Sequence, residues 1–195
     1  MEHSEKRQEI LHATMELIAE NGFHGAPIAS IAQRAAVGAG TIYRYFPSKD
    51  VLINELYQQL HDKIRTALLD GYDVDTHLRV QFLHLGMALL RYFIANPLDL
   101  QYLEQYHSSP YGTALRQGWL LGDGLNEDLY SRLFAKGVGQ QVIKDLPLDV
   151  LFALVIAPLL TISRMHIQGT IKLDDSLMMQ IIQACWDGIK RYIKR

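Results

Sequence analysis

A single cysteine, Cys185, leaves this 195-residue chain unable to form an internal disulfide. That suits a reducing, cytoplasmic compartment, where a lone thiol on a helix serves as a small hydrophobe, although a bridge between two copies stays open. Long apolar runs are lacking as well. The longest, residues 150–160, contains Pro158 and falls short of the ~18 residues a membrane span requires, so a buried helix is expected there. The opening MEHSEKRQEI mixes acids and bases without the apolar stretch of a secretory signal, which argues against export.

Motifs that carry chemistry are equally scarce. The eight histidines never occur as HExxH, and the chain has neither GxSxG nor GxxxxGK. Gly137-Val138-Gly139 lacks the third glycine and the preceding strand of a nucleotide site. No catalytic residue, metal site or cofactor is therefore expected, and an enzyme is disfavoured. Acids are missing locally. Residues 21–49 contain no Asp or Glu but do contain Arg34, Arg44 and Lys49, giving +3 within a chain of net charge −2 and leaving −5 for the remainder. A cationic face on an acidic body suits docking on a polyanion rather than bulk attraction to one. In a protein-binding adaptor the same stretch would have no reason to be cationic.

Strand patterns are nearly absent, while apolar residues recur at three- and four-residue spacing, so the chain reads as all-α. With 49% hydrophobic and 21% charged residues, it has the composition of a globular protein able to bury a core. A first helix is expected over 4–20, placing Ile10, Ala13, Thr14, Leu17 and Ile18 on one stripe and stopping at Asn21-Gly22. Short helices are expected over 27–35 and 39–45. Ser48 can cap a longer helix running to Gly71, with Val51, Leu52, Leu56, Leu60, Ile64, Ala67 and Leu68 as its apolar face. Further helices are expected over 76–95, on to 107, over 113–135 with possible interruption at Gly118, Gly122 and Gly124, over 147–168 with a bend at Pro158, and over 174–193. The basic end, Lys190, Arg191, Lys194 and Arg195, suits helix-end carbonyls.

The informative stretch is IASIAQRAAVGAGTIYRYFPSK, residues 28–49, which reads as helix, tight turn, helix. Ile28, Ile31, Ala32, Val37, Ile42 and Phe46 would form its small core against the first helix. Thr41, Tyr43, Arg44 and Tyr45 are left outward, with Lys49 just beyond. An α-helix fits the major groove, where a guanidinium can bind guanine through two bonds and a threonine or tyrosine can touch base edges. Gly38, Ala39 and Gly40 keep the start of that helix free of bulk, so its backbone can approach a duplex closely.

These residues resemble the TetR family of bacterial transcriptional regulators. Gly22-Phe23, Ile31-Ala32, Ala35, Val37, Gly40-Thr41-Ile42-Tyr43, Tyr45-Phe46, Ser48-Lys49 and Leu52 stand where that family's pattern places them, across roughly the first quarter of the chain. Three residues depart from it. Ala26 replaces a capping threonine, Ala36 a turn glycine and Gly38 a capping serine. The resemblance implies an N-terminal three-helix helix-turn-helix DNA-binding domain, residues 1–47, followed by a helical-bundle ligand-binding and dimerisation domain, residues 48–195. It implies DNA contacts from Ala39, Gly40, Thr41, Tyr43, Arg44, Tyr45 and Lys49, with Lys6 and Arg7 as candidates for flanking phosphates. It further implies a homodimer through the last two helices, and a repressor released from a palindromic double-stranded operator by a small-molecule effector. Candidate effector-lining residues are Phe93, Tyr102, Tyr106, His107, Trp119, Met165 and His166, aromatic or polar-tipped groups in the central region.

Overall fold

A computed structural model describes residues 2–112 and 129–192, with side chains from residue 5 onward. Nine α-helices lie wholly within the described residues: α1 (Glu2–Asn21), α2 (Ile28–Arg34), α3 (Ala39–Tyr45), α4 (Lys49–Leu69), α5 (Leu78–Ala95), α6 (Pro97–His107), α7 (Leu129–Gly139), α8 (Leu148–Ile167) and α9 (Asp175–Ile189); residues 110–112 are helical as well. They pack as two compact units. One holds the described residues up to 63 together with 98–112, and the other holds 64–97 with 129–192.

In the first unit the expected stripe of α1 is buried in full, joined by Leu11 and Met15. Thr14 sits in that stripe at no cost in unsatisfied polarity, because its hydroxyl donates to the Ile10 carbonyl at 2.7 Å. Gly22, at φ +69, ends α1 with its amide on the Ile18 carbonyl at 2.8 Å. Ile31, Ala32, Ile42 and Phe46 close the small core; each large apolar side chain among them contributes about 1.5–3 kcal/mol. Val37 and Ile28 are only half-buried. Ser48 caps α4 as expected, accepting from the Val51 amide at 3.2 Å. Val51 itself is exposed, and Ile53 and Tyr57 take its place on the buried face of α4.

In the second unit α5 packs on α7, α8 and α9. Gly86 of α5 lies so close to Ile182 of α9 that a methyl group there would overlap it, and Phe82 meets Trp186 with ring centroids 5.1 Å apart. Asp174 caps α9 by accepting from the Leu177 amide at 2.8 Å. Helix α9 ends at Ile189, four residues earlier than its sequence pattern suggests. A non-local contact stops it: Lys190 pairs with Ile143 in an isolated antiparallel bridge, and the Arg191 amide donates to the Val142 carbonyl. The lysine that satisfies a carbonyl at this helix end is Lys144, bound to Gly188 at 2.6 Å, whereas Lys190 pairs with Asp187. Helix α7 continues to Gly139; the earlier part of the helix expected over 113–135 lies outside the described residues. Helix α8 runs unbroken through Pro158 for 20 residues. By length and composition it could cross a membrane, but Leu151, Val155, Leu159 and Ser163 are buried in the helical layer.

The turn between α2 and α3 carries local strain. The Val37 amide bonds the Ala32 carbonyl and the Ala36 amide bonds that of Gln33, a Schellman closure that requires a left-handed residue at position 36. That residue is alanine, at φ +51. Relief of its Cβ clash outweighs the extra freedom glycine has when unfolded. Ala36→Gly is therefore expected to stabilise the chain by roughly 0.5–1 kcal/mol and raise its melting temperature by about 2–4 °C. A thermal melt in which the variant unfolds no later than the parent would rule out strain at this turn.

Candidate nucleic-acid interface

Helix α3 has one fully buried residue, Ile42, and its remaining side chains are arranged around that anchor. Ala39, Gly40, Tyr43 and Arg44 are exposed, while Thr41 and Tyr45 are half-buried on the flanks. Gly40, Tyr43 and Arg44 stand at i, i+3 and i+4, so they form one continuous strip. Tyr43 is 53% exposed, unusual for a large aromatic side chain. Around Gly40 there is empty space: a Cβ built there would have nothing within 4 Å. The fold does not require glycine at this position, and a helical glycine costs up to about 1 kcal/mol against alanine. Gly38, at the N-cap, has ordinary extended dihedrals and no side-chain cap. Pro27 occupies the N-cap of α2, so Ala26 stands one residue before the cap, where it is fully buried.

The +3 of residues 21–49 does not survive folding intact. Arg34 forms a two-pronged pair with Glu20, at 2.8 and 3.1 Å, and reaches Glu16 at 3.4 Å. The guanidinium hydrogen bonds hold the Glu20 carboxyl below its ordinary range, and Glu20 in turn drives Arg34 further into its charged form. Those glutamates lie on α1, outside the acid-free stretch, so sequence counting could not reveal the compensation. Lys49 donates to the Phe23 carbonyl at 2.9 Å, and partial burial lowers its pKa. Two of its three N–H donors remain for other acceptors. Arg44 has no ion pair among the described residues; its guanidinium lies 5.3 Å from the centroid of the Tyr45 ring, within cation–π range.

The two flanking candidates behave differently from α3. Arg7 pairs with Glu55 and covers the Phe46 ring at 5.0 Å, bracing α1 against α4. Lys6 pairs with Glu9 at 2.8 Å. The open groove beside α1 is lined by Glu5, Glu9, Glu16, His12, Lys6 and Arg34, an acid-rich surface that disfavours phosphate.

The effector candidates fall in different places. Tyr102, Tyr106 and His107 belong to the first unit, and Phe93, Met165 and His166 to the second; Trp119 lies outside the described residues. Tyr102 is fully buried, with its hydroxyl on the Ile53 carbonyl at 3.3 Å. Tyr106 stacks on Tyr57 at 4.1 Å, and both rings belong to a cluster with Phe23 and Tyr111. Burial raises the phenol pKa of Tyr102, Tyr106 and Tyr111, the last to about 12. His107 lies at the edge of the Tyr106 ring. Phe93 is buried beside Tyr92. His166 accepts the Leu173 amide at 3.1 Å, an intramolecular use of its Nδ1. Sequence patterns did not single out His84, whose Nε2 is buried without a hydrogen-bond partner. Nor did they single out Tyr111, whose hydroxyl donates to Asp50 at 2.5 Å. No local spacing signals either one.

Comparison with known proteins covers both parts of the chain. The family described as "Bacterial regulatory proteins, tetR family" matches residues 10–56, and the "Tetracyclin repressor-like, C-terminal domain" matches residues 77–190. An uncharacterized HTH-type transcriptional regulator of Haemophilus influenzae is 29% identical over 103 residues, which is 53% of this chain and 55% of the relative. The HTH-type transcriptional regulator BetI of Escherichia coli is 39% identical over 65 residues, a third of each protein. The match thus spans about half or less of these relatives' own lengths. Among solved structures, a TetR-family protein of Vibrio parahaemolyticus is 29% identical, with a TM-score of 0.76 over 96% of this chain and 99% of that one. A regulator from Marinobacter aquaeolei shares the fold at 21% identity, with a TM-score of 0.82 over 98% of this chain and 100% of that one. On the two domain matches, which together span most of its length, the chain belongs to the TetR family of bacterial regulatory proteins.

Proposed function

We propose that the protein is a transcriptional regulator that binds a palindromic DNA operator as a homodimer and is released from it by a small-molecule effector, acting as a repressor in the cytoplasm without a cofactor. The observation that carries this reading is the strip on α3. Its glycine has no packing reason to be glycine, its tyrosine is exposed, and its arginine has no carboxylate partner among the described residues. Docked in a major groove, Arg44 is positioned to bind guanine, Thr41 and Tyr43 to touch base edges or the adjacent backbone, and Tyr45 and Lys49 to hold phosphates; Ala39 and Gly40 admit the backbone closely. On this reading residues 1–47 are the reading head, and residues 48–195 sense the effector and dimerise.

Two further features support the assembly. On α8, Leu148, Val150 and Leu154 are exposed together with Ala153, Ala157 and Thr161, and α9 exposes Leu177, Ala184 and Gly188. An apolar face on each of two adjacent helices suits an isologous four-helix contact between copies. For the effector, the half-buried Met165 and His166, the buried Phe93 and the unpartnered Nε2 of His84 belong to one unit and combine apolar groups with polar tips. Trp119, Tyr102, Tyr106 and His107 stay in the candidate set.

Selection of bound duplexes from a random pool tests the reading directly. A wild-type protein that enriches no duplex would end it. Given an enriched palindrome, Arg44→Ala should lose preference at one symmetry-related G·C pair, by roughly 1–3 kcal/mol, while Arg34→Ala keeps that preference because its charge is already paired. Gly40→Ala should make the protein more stable by up to about 1 kcal/mol yet weaken operator binding at least about tenfold; unimpaired binding would place the duplex elsewhere. Leu154→Glu should convert the dimer to a monomer in sedimentation at micromolar concentration, and an unchanged mass would remove α8 from the interface.

A further inference from the structure

We propose that Tyr111 is a positioning residue for the DNA-reading head, tying together the two ends of the chain segment that carries α2 and α3. The proposal rests on the DNA-binding reading above and adds to it a residue far from the helix-turn-helix in sequence.

Three contacts close a ring at the base of the head. Lys49 Nζ donates to the Phe23 carbonyl at 2.9 Å, joining the turn between α1 and α2 to the first residue of α4. The Tyr111 ring packs on the Phe23 ring with centroids 5.2 Å apart. Its hydroxyl then donates to Oδ1 of Asp50, the neighbour of Lys49, at 2.5 Å. One side chain therefore touches both the entry and the exit of the segment between Phe23 and Asp50. Everything α3 presents to a groove is strung between those two points.

Tyr111 is itself held in place. It stands in the helical residues 110–112, just after a turn in which the Ser109 hydroxyl donates to the Tyr106 carbonyl at 2.6 Å. The Gly112 amide returns to that hydroxyl at 3.4 Å, and a side chain at Gly112 would collide with the backbone of Tyr106 and His107. The ring also stacks beside Tyr106, 6.3 Å away, which is stacked in turn on Tyr57 of α4. A phenol beside a braced turn differs from a mobile surface group: it can define where its acceptor sits.

The hydrogen bond to Asp50 is exposed, and such bonds add little net folding stability. Its effect falls on geometry. A groove-reading helix must be held to about 0.5 Å if several side chains are to meet base edges and phosphates together. A tie that fixes both ends of the head meets that need where a seven-residue helix cannot do so alone.

The test uses the full chain and the duplex selected by the wild type. Tyr111→Phe keeps the ring and removes only the hydroxyl, so its melting temperature should stay within about 2 °C of the parent. Operator affinity should fall about 5–20-fold with the slope of affinity against salt unchanged, because no phosphate contact is removed. In an Asp50→Ala background the same substitution should have no further effect, since its partner is already gone. Wild-type affinity for Tyr111→Phe would overturn the proposal. So would an undiminished effect in the Asp50→Ala background, or a shallower salt slope, which would place the hydroxyl on a phosphate. Failure of the wild type to bind any duplex would instead defeat the DNA-binding reading itself.

Discussion

Burial of Ile42 sets the orientation of α3, and through it everything the helix can offer a partner. A helix turns by about 100° per residue, so when residue 42 points into the core, residues 40 and 44 lie nearly opposite and residues 41 and 43 lie to either side. Gly40 and Arg44 thus crown the exposed face, with Thr41 and Tyr43 flanking them. Phe46, four residues beyond Ile42 and also fully buried, pins the far end and receives Arg7 over its ring. Seven residues would not hold a helix in water, so these two apolar anchors fix both the existence of α3 and its rotation.

That rotation was legible in the sequence because it depends on local periodicity. Ile31, Ala32, Ile42 and Phe46 announce their burial by spacing alone, as do the stop at Gly22 and the cap at Ser48. What escaped local reading is what depends on partners far along the chain. Glu16 and Glu20 neutralise Arg34 from another helix, and the bridge of Ile143 to Lys190 halts α9 where helical propensity alone would continue. Val51 continues the apolar pattern of α4 yet is exposed, because neighbouring elements bury Ile53 and Tyr57 instead. The aromatic candidates show a related limit. Spacing cannot separate a ring that fills a core, as Tyr102 does, from one that lines a cavity.

Two small residues in the head illustrate opposite compromises. Ala36 adopts a left-handed conformation that glycine would accept freely, so stability is given up where the turn demands a special backbone. Gly40 lies in an ordinary helical conformation with open space around it, so stability is given up where the backbone demands nothing. The first is a departure from what the turn prefers and has no evident gain in the free protein. On the reading proposed above, the second leaves room for a duplex to approach the helix closely.

Electrostatics narrows the approach further. Beyond about 8 Å at physiological ionic strength, individual surface charges are screened, so a duplex senses the head locally rather than through the net charge of −2. On α1 the groove bearing Glu5, Glu9 and Glu16 opposes phosphate, and Arg34 is already matched to carboxylates. Of the three cations in residues 21–49, that leaves Arg44 on α3 and the remaining donors of Lys49 at the start of α4. On the reading proposed above, these two positive groups, one on each of two successive helices, would act beside the hydroxyls of Thr41, Tyr43 and Tyr45. On that same reading, the pairing of Arg34 with Glu16 and Glu20 removes an uncompensated charge beside α1 that would otherwise attract phosphate to a face with nothing to read it.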